Sequence, residues 1–257
     1  MRITILGCGA AGGVPTVSIG WGQCDPDNPR NRRRRQSILV EEDATTILVD
    51  TTPDLREQLL GAKVRRLDAV LYTHAHADHL HGIDDLREVN RAMEGPIDCY
   101  ADAGTLKVLS ERFAYVVEPV ERPADSYIYK PWLVPHPIAG PFRVGAVPVE
   151  PYAQDHGFGM VTLGYRFARA AYSTDLVALP EESMARLAGL DLWIVGCLMD
   201  KKHSTHASLD TVLGWAARLK PKLTVLVHMS PRLDYAQLAA RLPEGVVPGY
   251  DGMVLEV

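Results

Sequence analysis

The sequence predicts an α/β fold in which two sheets pack together and helices cover the outside. Three observations predict it. Apolar runs of strand length recur along the 257-residue chain, amphipathic helical patterns separate some of them, and the two kinds do not alternate evenly. Strands and helices alternate in the first half, strands dominate residues 127–173, and alternation returns at the end. One parallel sheet would need a helix after nearly every strand, so this order fits two mixed sheets better.

The elements follow from local pattern. Strands are predicted at residues 2–6, 37–41, 46–49, 69–72, 97–101, 144–149, 160–167, 170–173, 192–197, 223–227 and 253–257, most of them rich in Val, Ile and Leu. A helix opens at Pro53-Asp54-Leu55, with Leu55, Leu59 and Leu60 on one face. Residues 102–115 form a second helix that groups Leu106, Leu109 and Phe113. Ser208 caps a third that runs to residue 219, and residues 234–242 form a fourth. The stretch 119–148, with Pro123, Pro131, Pro135, Pro137 and Pro141, reads as edge strands and loops, because proline cannot donate to a ladder. No repeat, low-complexity tract or linker interrupts the pattern, which points to one domain over residues 1–257.

Composition excludes several classes. The chain is 47% hydrophobic and 23% charged, so it is neither disordered nor a disulfide-dense miniprotein. With 27 basic and 32 acidic side chains the net charge is −5, and no bulk field recruits nucleic acid or anionic lipid. Cys8, Cys24, Cys99 and Cys197 are scattered without a C-x-x-C, which predicts a reduced cytoplasmic protein. The apolar start is shorter than the roughly 7–15 residues of a signal-peptide core. No run approaches the about 20 apolar residues of a membrane span, so no membrane partner is expected.

Gly7-Cys8-Gly9-Ala10-Ala11-Gly12 follows the first strand and matches G-x-G-x-x-G. That fingerprint works only if a helix starts there and its amides hold a pyrophosphate. Gly13-Val14-Pro15, Gly20 and Gly22 follow instead, and no strand ending in an acid comes about 20 residues later. The segment reads as a glycine-rich turn beside an active site.

Four of the nine histidines (His74, His76, His79 and His81) crowd into one short segment just past the strand 69–72. In an extended segment, residues two apart point the same way, so His74 and His76 can share one metal ion. As the chain turns, Asp78 and His79 face a second direction. Mixed imidazole and carboxylate donors suit Zn, Mn or Fe. Further candidates stand after later apolar strands: His156, Asp175 and His228.

The H-x-H-x-D-H motif followed by His156, Asp175 and His228 resembles the metallo-β-lactamase superfamily of binuclear hydrolases. More closely, Leu6-Gly7-Cys8-Gly9, residues 31–37, Val49-Asp50-Thr51, Gly82-Ile83-Asp84-Asp85-Leu86-Arg87 and Leu226-Val227-His228-Met229-Ser230 resemble the PhnP-type phosphodiesterases, which act on cyclic ribose phosphates. The resemblance implies an αββα sandwich of two mixed sheets with the site at the edge between them. It implies that His74, His76 and His156 hold one ion, that Asp78, His79 and His228 hold the other, and that Asp175 bridges them, with Mn or Zn as the metal. It also implies Asp50 as the carboxylate that orients a ligating histidine. Relatives of this type carry a cysteine-rich structural zinc site near the N-terminus. Here the matching loop keeps only Cys24, and one thiol cannot build a tetrahedral cage, so no structural zinc is expected.

Two ions would activate a bridging water, and a protein acid must then protonate the leaving alkoxide. His206 lies 22 residues before His228, a spacing that resembles that of the catalytic histidine in related phosphodiesterases. His206 and Asp78 are therefore the catalytic candidates, with His203 as the competing acid or a substrate contact beside Arg87. Arg32, Arg33, Arg34 and Arg35 could face a substrate phosphate, but a solvated loop or a contact within a homodimer explains them equally well. The function expected is dinuclear-metal hydrolysis of a small cyclic or nucleotide-like phosphate diester. The rivals are tRNA 3′-end processing, opposed by the missing basic clamping arm and the net negative charge, and lactone, thioester or β-lactam hydrolysis.

Overall fold

The computed structural model describes residues 1–119 and 128–257. The expectation for Pro123 falls outside them. Two seven-stranded sheets form the centre. The first contains β1 (Arg2–Gly7), β2 (Ser37–Glu42), β3 (Thr45–Val49), β4 (Ala69–Leu71), β5 (Ile97–Ala101) and β6 (Leu133–Pro137), and the second starts with β7 (Phe142–Val144), β8 (Val147–Asp155), β9 (Val161–Phe167) and β10 (Ala170–Ser173). The second sheet continues with β11 (Leu192–Gly196), β12 (Leu223–Val227) and β13 (Val246–Pro248), while β14 (Val254–Glu256) returns to the first. Strand orders are β14-β1-β2-β3-β4-β5-β6 and β13-β12-β11-β10-β9-β8-β7. Each sheet is half antiparallel and half parallel: β3 to β6 run parallel in one, and β10 to β13 in the other.

The helices are α1 (Leu55–Gly61), α2 (Ala77–Leu80), α3 (Leu86–Met93), α4 (Ala103–Arg112), α5 (Ala114–Val117), α6 (Glu181–Arg186), α7 (Leu209–Leu219) and α8 (Tyr235–Ala239). Strand alternation explains the layering. Ile38 and Val40 of β2, with Ile47 and Val49 of β3, enter the core that also holds Tyr165, Phe167, Tyr172 and Val225 of the second sheet. Leu39 and Leu48, one residue out of phase, pack instead with Leu55, Leu59, Val89 and Leu109 of the covering helices. Both faces of these strands are dry, which is why they read as continuous apolar runs.

Three predicted elements differ. Residues 144–149 are not one strand: Gly145 adopts φ +51, and β7 and β8 pair Val144 with Val147 across a two-residue turn. The helix expected over 102–115 breaks at Phe113, which leaves helical geometry at φ −131 and sets its ring edge-on to His81 at 5.5 Å. Asp54 stands at the start of α1 without capping it, because its carboxylate accepts the Arg35 amide at 2.8 Å and pairs with the Arg35 guanidinium. By contrast Asp102, Ser208 and Asp234 each cap a helix through their side chains. Pro135 and Pro137 lie in β6, an edge strand, where a missing N–H breaks no ladder.

Candidate metal centre

The site is built at the carboxyl ends of parallel strands in both sheets, the place where α/β folds leave room for ligands. Asp50 follows β3, the His74–His79 segment follows β4, Asp175 lies just past β10, and His228 and His156 directly follow β12 and β8. Asp50, Asp175 and His228 sit at φ +65, +51 and +53. Left-handed backbone costs a non-glycine residue about 1–2 kcal/mol, and Asp and His tolerate it better than most residues. In each case it swings the chain out of the strand and aims the side chain across the sheet end. Past His76, the single turn of α2 carries Asp78 and His79 onto a different side from His74 and His76.

Two groupings result. The ligand atoms of His74, His76 and His156 lie within 4.8 Å of one another, and so do those of Asp78, His79, Asp175 and His228. Asp175 faces both groups. Its Oδ2 lies 3.1 Å from His79 Nε2 and 3.3 Å from His228 Nε2, while its Oδ1 lies 3.9 Å from His156 Nε2. All but His76 and Asp78 are buried.

The residues fit a divalent cation. His74 Nε2, His79 Nε2 and both ring nitrogens of His228 are buried without a hydrogen-bond partner among the described residues, a state that costs about 1–3 kcal/mol per group when nothing satisfies it. Several of these nitrogens are near carboxylate oxygens but are not aimed as hydrogen bonds; they converge on shared space. The Nδ1 atoms of His74, His79 and His156 are already engaged. His79 Nδ1 donates to Asp50 Oδ2 at 2.7 Å, and His156 Nδ1 donates to the Thr205 carbonyl at 2.9 Å. Thr73 Oγ1 donates to Asp50 at 2.8 Å and so is left to accept from His74 Nδ1 at 3.0 Å. Each of these three rings is thereby fixed in the tautomer that leaves Nε2 bare.

Electrostatics agree. Burial, and then the charge of His79, push His74 well below the ordinary histidine value, and burial lowers His156, which keeps both rings neutral. Burial opposes charge on His79 as well, but Asp175, Asp78 and Asp50 override it and hold the ring well above its usual value. Burial would raise Asp175, yet His228 and His79 hold it well below the carboxylate range. Burial leaves Asp50 somewhat raised despite His79. Three carboxylates around one imidazole create a demand for positive charge that a divalent cation meets.

His206 closes the other side. Its Nε2 lies 3.0 Å from Asp175 Oδ1, and its ring stacks on His228 at 5.0 Å and meets His156 edge-on. With His156 and Asp175 it forms a third grouping able to hold a metal. Thr205 Oγ1 contacts His206 Nδ1 at 2.7 Å and His203 Nδ1 at 3.1 Å, so His203 stands next to His206 on the exposed side. Sequence reasoning missed Thr73 and Thr205; the only signal was that each directly precedes a singled-out histidine.

The structure does not bring Arg87 to this cluster. Its guanidinium reaches Glu88 at 3.5 Å and the Tyr129 carbonyl, on a groove between α1 and α3. Arg32 to Arg35 line a different cavity, none of whose lining residues belongs to the histidine cluster. His136 binds Asp98 at 2.9 Å and stacks on Tyr100. The Gly7–Gly12 turn has no helix after it; Gly9 bridges to Arg35 and to Met229, next to His228. Cys24 is buried with its thiol on the Leu233 carbonyl, and among the described residues every grouping of three or more metal-capable side chains lies in the centre itself.

A family model for the beta-lactamase superfamily domain matches residues 45–229, a span that holds all seven of these groups from His74 to His228. The chain belongs to the beta-lactamase superfamily. An octanoyltransferase of Porphyromonas gingivalis is 32% identical over 256 residues, covering 98% of this chain and 51% of that protein, so the chain spans about half the length of this relative. Coenzyme PQQ synthesis protein B of Methylorubrum extorquens is 29% identical over 84% of the chain and 79% of its own length. Among solved structures, a diphosphatase from the PhnP family superposes with a TM-score of 0.90 at 35% identity, covering 100% of this chain and 97% of the other. The PhnP-type resemblance read from the motifs therefore holds at the level of the whole fold. The zinc-bound PqqB of Methylobacterium extorquens shares the fold at a TM-score of 0.78 and 21% identity. The two mixed sheets with flanking helices are the metallo-β-lactamase fold. No helix among the described residues is long and apolar enough to cross a membrane.

Proposed function

We propose that the protein is a dinuclear-metal phosphodiesterase acting on a small cyclic or nucleotide-like phosphate diester. The observation that carries this reading is Asp175, whose two carboxylate oxygens face two separate sets of bare imidazole nitrogens. His74, His76 and His156 would hold one cation, Asp78, His79 and His228 the other, with Asp175 shared; such nitrogen and oxygen donors suit Mn or Zn. Two bound ions supply an activated water and neutralise charge on the phosphoryl oxygens.

The chain's own groups do the rest. Asp50 holds His79 directly and His74 through Thr73, so one buried carboxylate sets the ring orientation in both ligand sets. His206, partly exposed, delivers a proton from Nε2 to the leaving alkoxide. The Thr205 hydroxyl, bonded to His206 Nδ1, fixes the plane of that ring. Asp78 lies at the more open side of its ligand set, where substrate enters. Because ligands come from both sheets, residues 1–257 act as one catalytic unit in this reading.

A phosphoanhydride is the second candidate bond, favoured by the similarity to a protein described as a diphosphatase. The test is metal analysis with a hydrolysis panel: an activated aryl phosphodiester, ribose cyclic phosphate, 2′,3′- and 3′,5′-cyclic nucleotides, a dinucleoside polyphosphate, a thioester and a β-lactam. About two metal equivalents with diester cleavage support the main reading, and cleavage of the polyphosphate alone moves the bond to the anhydride. Hydrolysis of only the thioester or the β-lactam would sink both.

A further inference from the structure

The arginine run that the catalytic reading leaves unused lines a cavity of about 470 Å³. Its opposite wall is the Gly12–Pro15 turn. The two walls are locked together: Val14 and Arg33 exchange backbone hydrogen bonds of 2.9 Å in both directions. Gly13 lies at φ +65, where a Cβ would come within 3.0 Å of the Arg33 carbonyl, so the close approach needs glycine. The cavity is thus preformed.

Its charge is unbalanced. Arg35 pairs with Asp54 at 3.0 Å, and Arg34 lies 3.8 Å from Asp251. Both carboxylates are also committed to backbone amides: Asp54 to that of Arg35, Asp251 to those of Arg34 and Cys8. Among the described residues, Arg32 has only the face of Trp21, 5.1 Å away. Arg33 is 2% exposed, yet among the described residues no carboxylate lies within ion-pair distance of it. Its guanidinium donates to the Ser230 and Leu233 carbonyls and to Asn31 Oδ1, and among the described residues its Nε has no hydrogen-bond partner. A buried guanidinium without a counter-ion is costly unless something anionic comes near. Four guanidinium groups therefore share one cavity with two carboxylates in a chain whose net charge is −5.

We infer that this cavity binds a small phosphorylated anion, with Arg32, Arg34 and Arg35 at its accessible edge and buried Arg33 supplying field from behind. Planar guanidinium groups match phosphate oxygens bidentately, and the volume exceeds a bare phosphate, which leaves room for a compact organic substituent. This site does not depend on the catalytic reading, because none of its lining residues belongs to the histidine cluster.

Inorganic phosphate is the probe. Calorimetric titration of the metal-loaded full chain should show saturable binding that weakens as salt is added. Binding should survive in His76→Ala, which damages the metal centre alone. It should fall about tenfold or more in Arg34→Gln/Arg35→Gln, the loss expected for a charged hydrogen bond, and be largely retained in Arg34→Lys/Arg35→Lys. Arg34 is 41% exposed, so the single change Arg34→Gln serves if the double variant does not fold. The inference is overturned if no saturable binding is found at millimolar phosphate, if the glutamine variants bind as the parent does, or if His76→Ala alone abolishes binding.

Discussion

Replacing Asp50 by Asn tests the centre where its geometry is most constrained. The side chain is fully buried and accepts three donors: the Thr73 amide on Oδ1, and the Thr73 hydroxyl and His79 Nδ1–H on Oδ2, at 2.7–2.8 Å. Asparagine matches the shape and tolerates the φ of +65, so backbone strain does not confuse the result. It offers one oxygen, however, so in either orientation its NH₂ meets a donor: the Thr73 amide, or the Thr73 hydroxyl and His79 Nδ1–H. The first orientation loses the bond that fixes Thr73; in the second His79 relieves the conflict by moving its proton to Nε2, which removes the lone pair facing Asp78 and Asp175. A lost hydrogen bond to a charged group is worth about 1.5–3 kcal/mol, or about 10- to 150-fold in an equilibrium constant. Metal affinity, measured by competition with a chromophoric chelator, should fall by that factor for one equivalent and less for the other. His74 is held only through Thr73, so its set suffers second-hand. Circular dichroism should show the fold retained. Unchanged affinity for both equivalents, within about twofold, would refute the tautomer argument and leave Asp50 as a packing residue.

The other predictions follow from the same contacts. His206→Ala should lower turnover by about 10²- to 10⁴-fold, the range for a lost general acid, while metal content measured by elemental analysis stays at the parent level; full activity would remove His206 from the mechanism. Thr205→Val keeps the carbonyl that holds His156 but loses the hydroxyl on His206, so kcat should drop about tenfold with KM little changed, and Thr205→Ser should restore it. Burial pushes Asp251 up to about 6 from an ordinary 3.8. Because the folded state binds this proton more tightly, its stabilising contribution is complete below pH 3.8 and is lost as pH rises through about 6. Urea titrations at pH 4 and 7 should show the parent losing about 2 kcal/mol more than Asp251→Asn over that interval; parallel losses in the two proteins would contradict it.

Much of this was legible in the chain because the relevant signals are local. The strands at 97–101, 170–173 and 223–227 come out with those bounds, since dry strands read as apolar runs whatever they pair with. Elements whose sequence is ambiguous alone were left without bounds: β6, interrupted by two prolines, is expected only as an edge strand somewhere within 119–148, and β7 and β13 are three residues each. The turn of α2 is set by tertiary bonds, with the Thr51 amide on the His79 carbonyl and the Gly82 amide on the Thr51 carbonyl, which no propensity encodes. Ligand candidates were legible for a similar reason. H-x-H-x-D-H fixes four donors within six residues, and a residue directly after a strand can only stand at a sheet end.

Hydrogen-bond order was not legible, and it is what turns a collection of histidines into a coordinating set. Asp50 and Thr73 are separated by 23 residues and meet only because β3 and β4 run parallel and end together. Thr205 reaches His156 across 49 residues, and Asp175 reaches His79 from the opposite sheet. In a sequence these are an acid after a strand and two ordinary threonines. Pairing the parallel halves of both sheets at one edge gives them common partners, and left-handed backbone at Asp50, Asp175 and His228 turns them toward one another. The strain stored there is held by the strands on either side, since each of the three follows a buried parallel strand. The same sheets that exclude water from the core thereby fix the tautomers of the histidines at its rim.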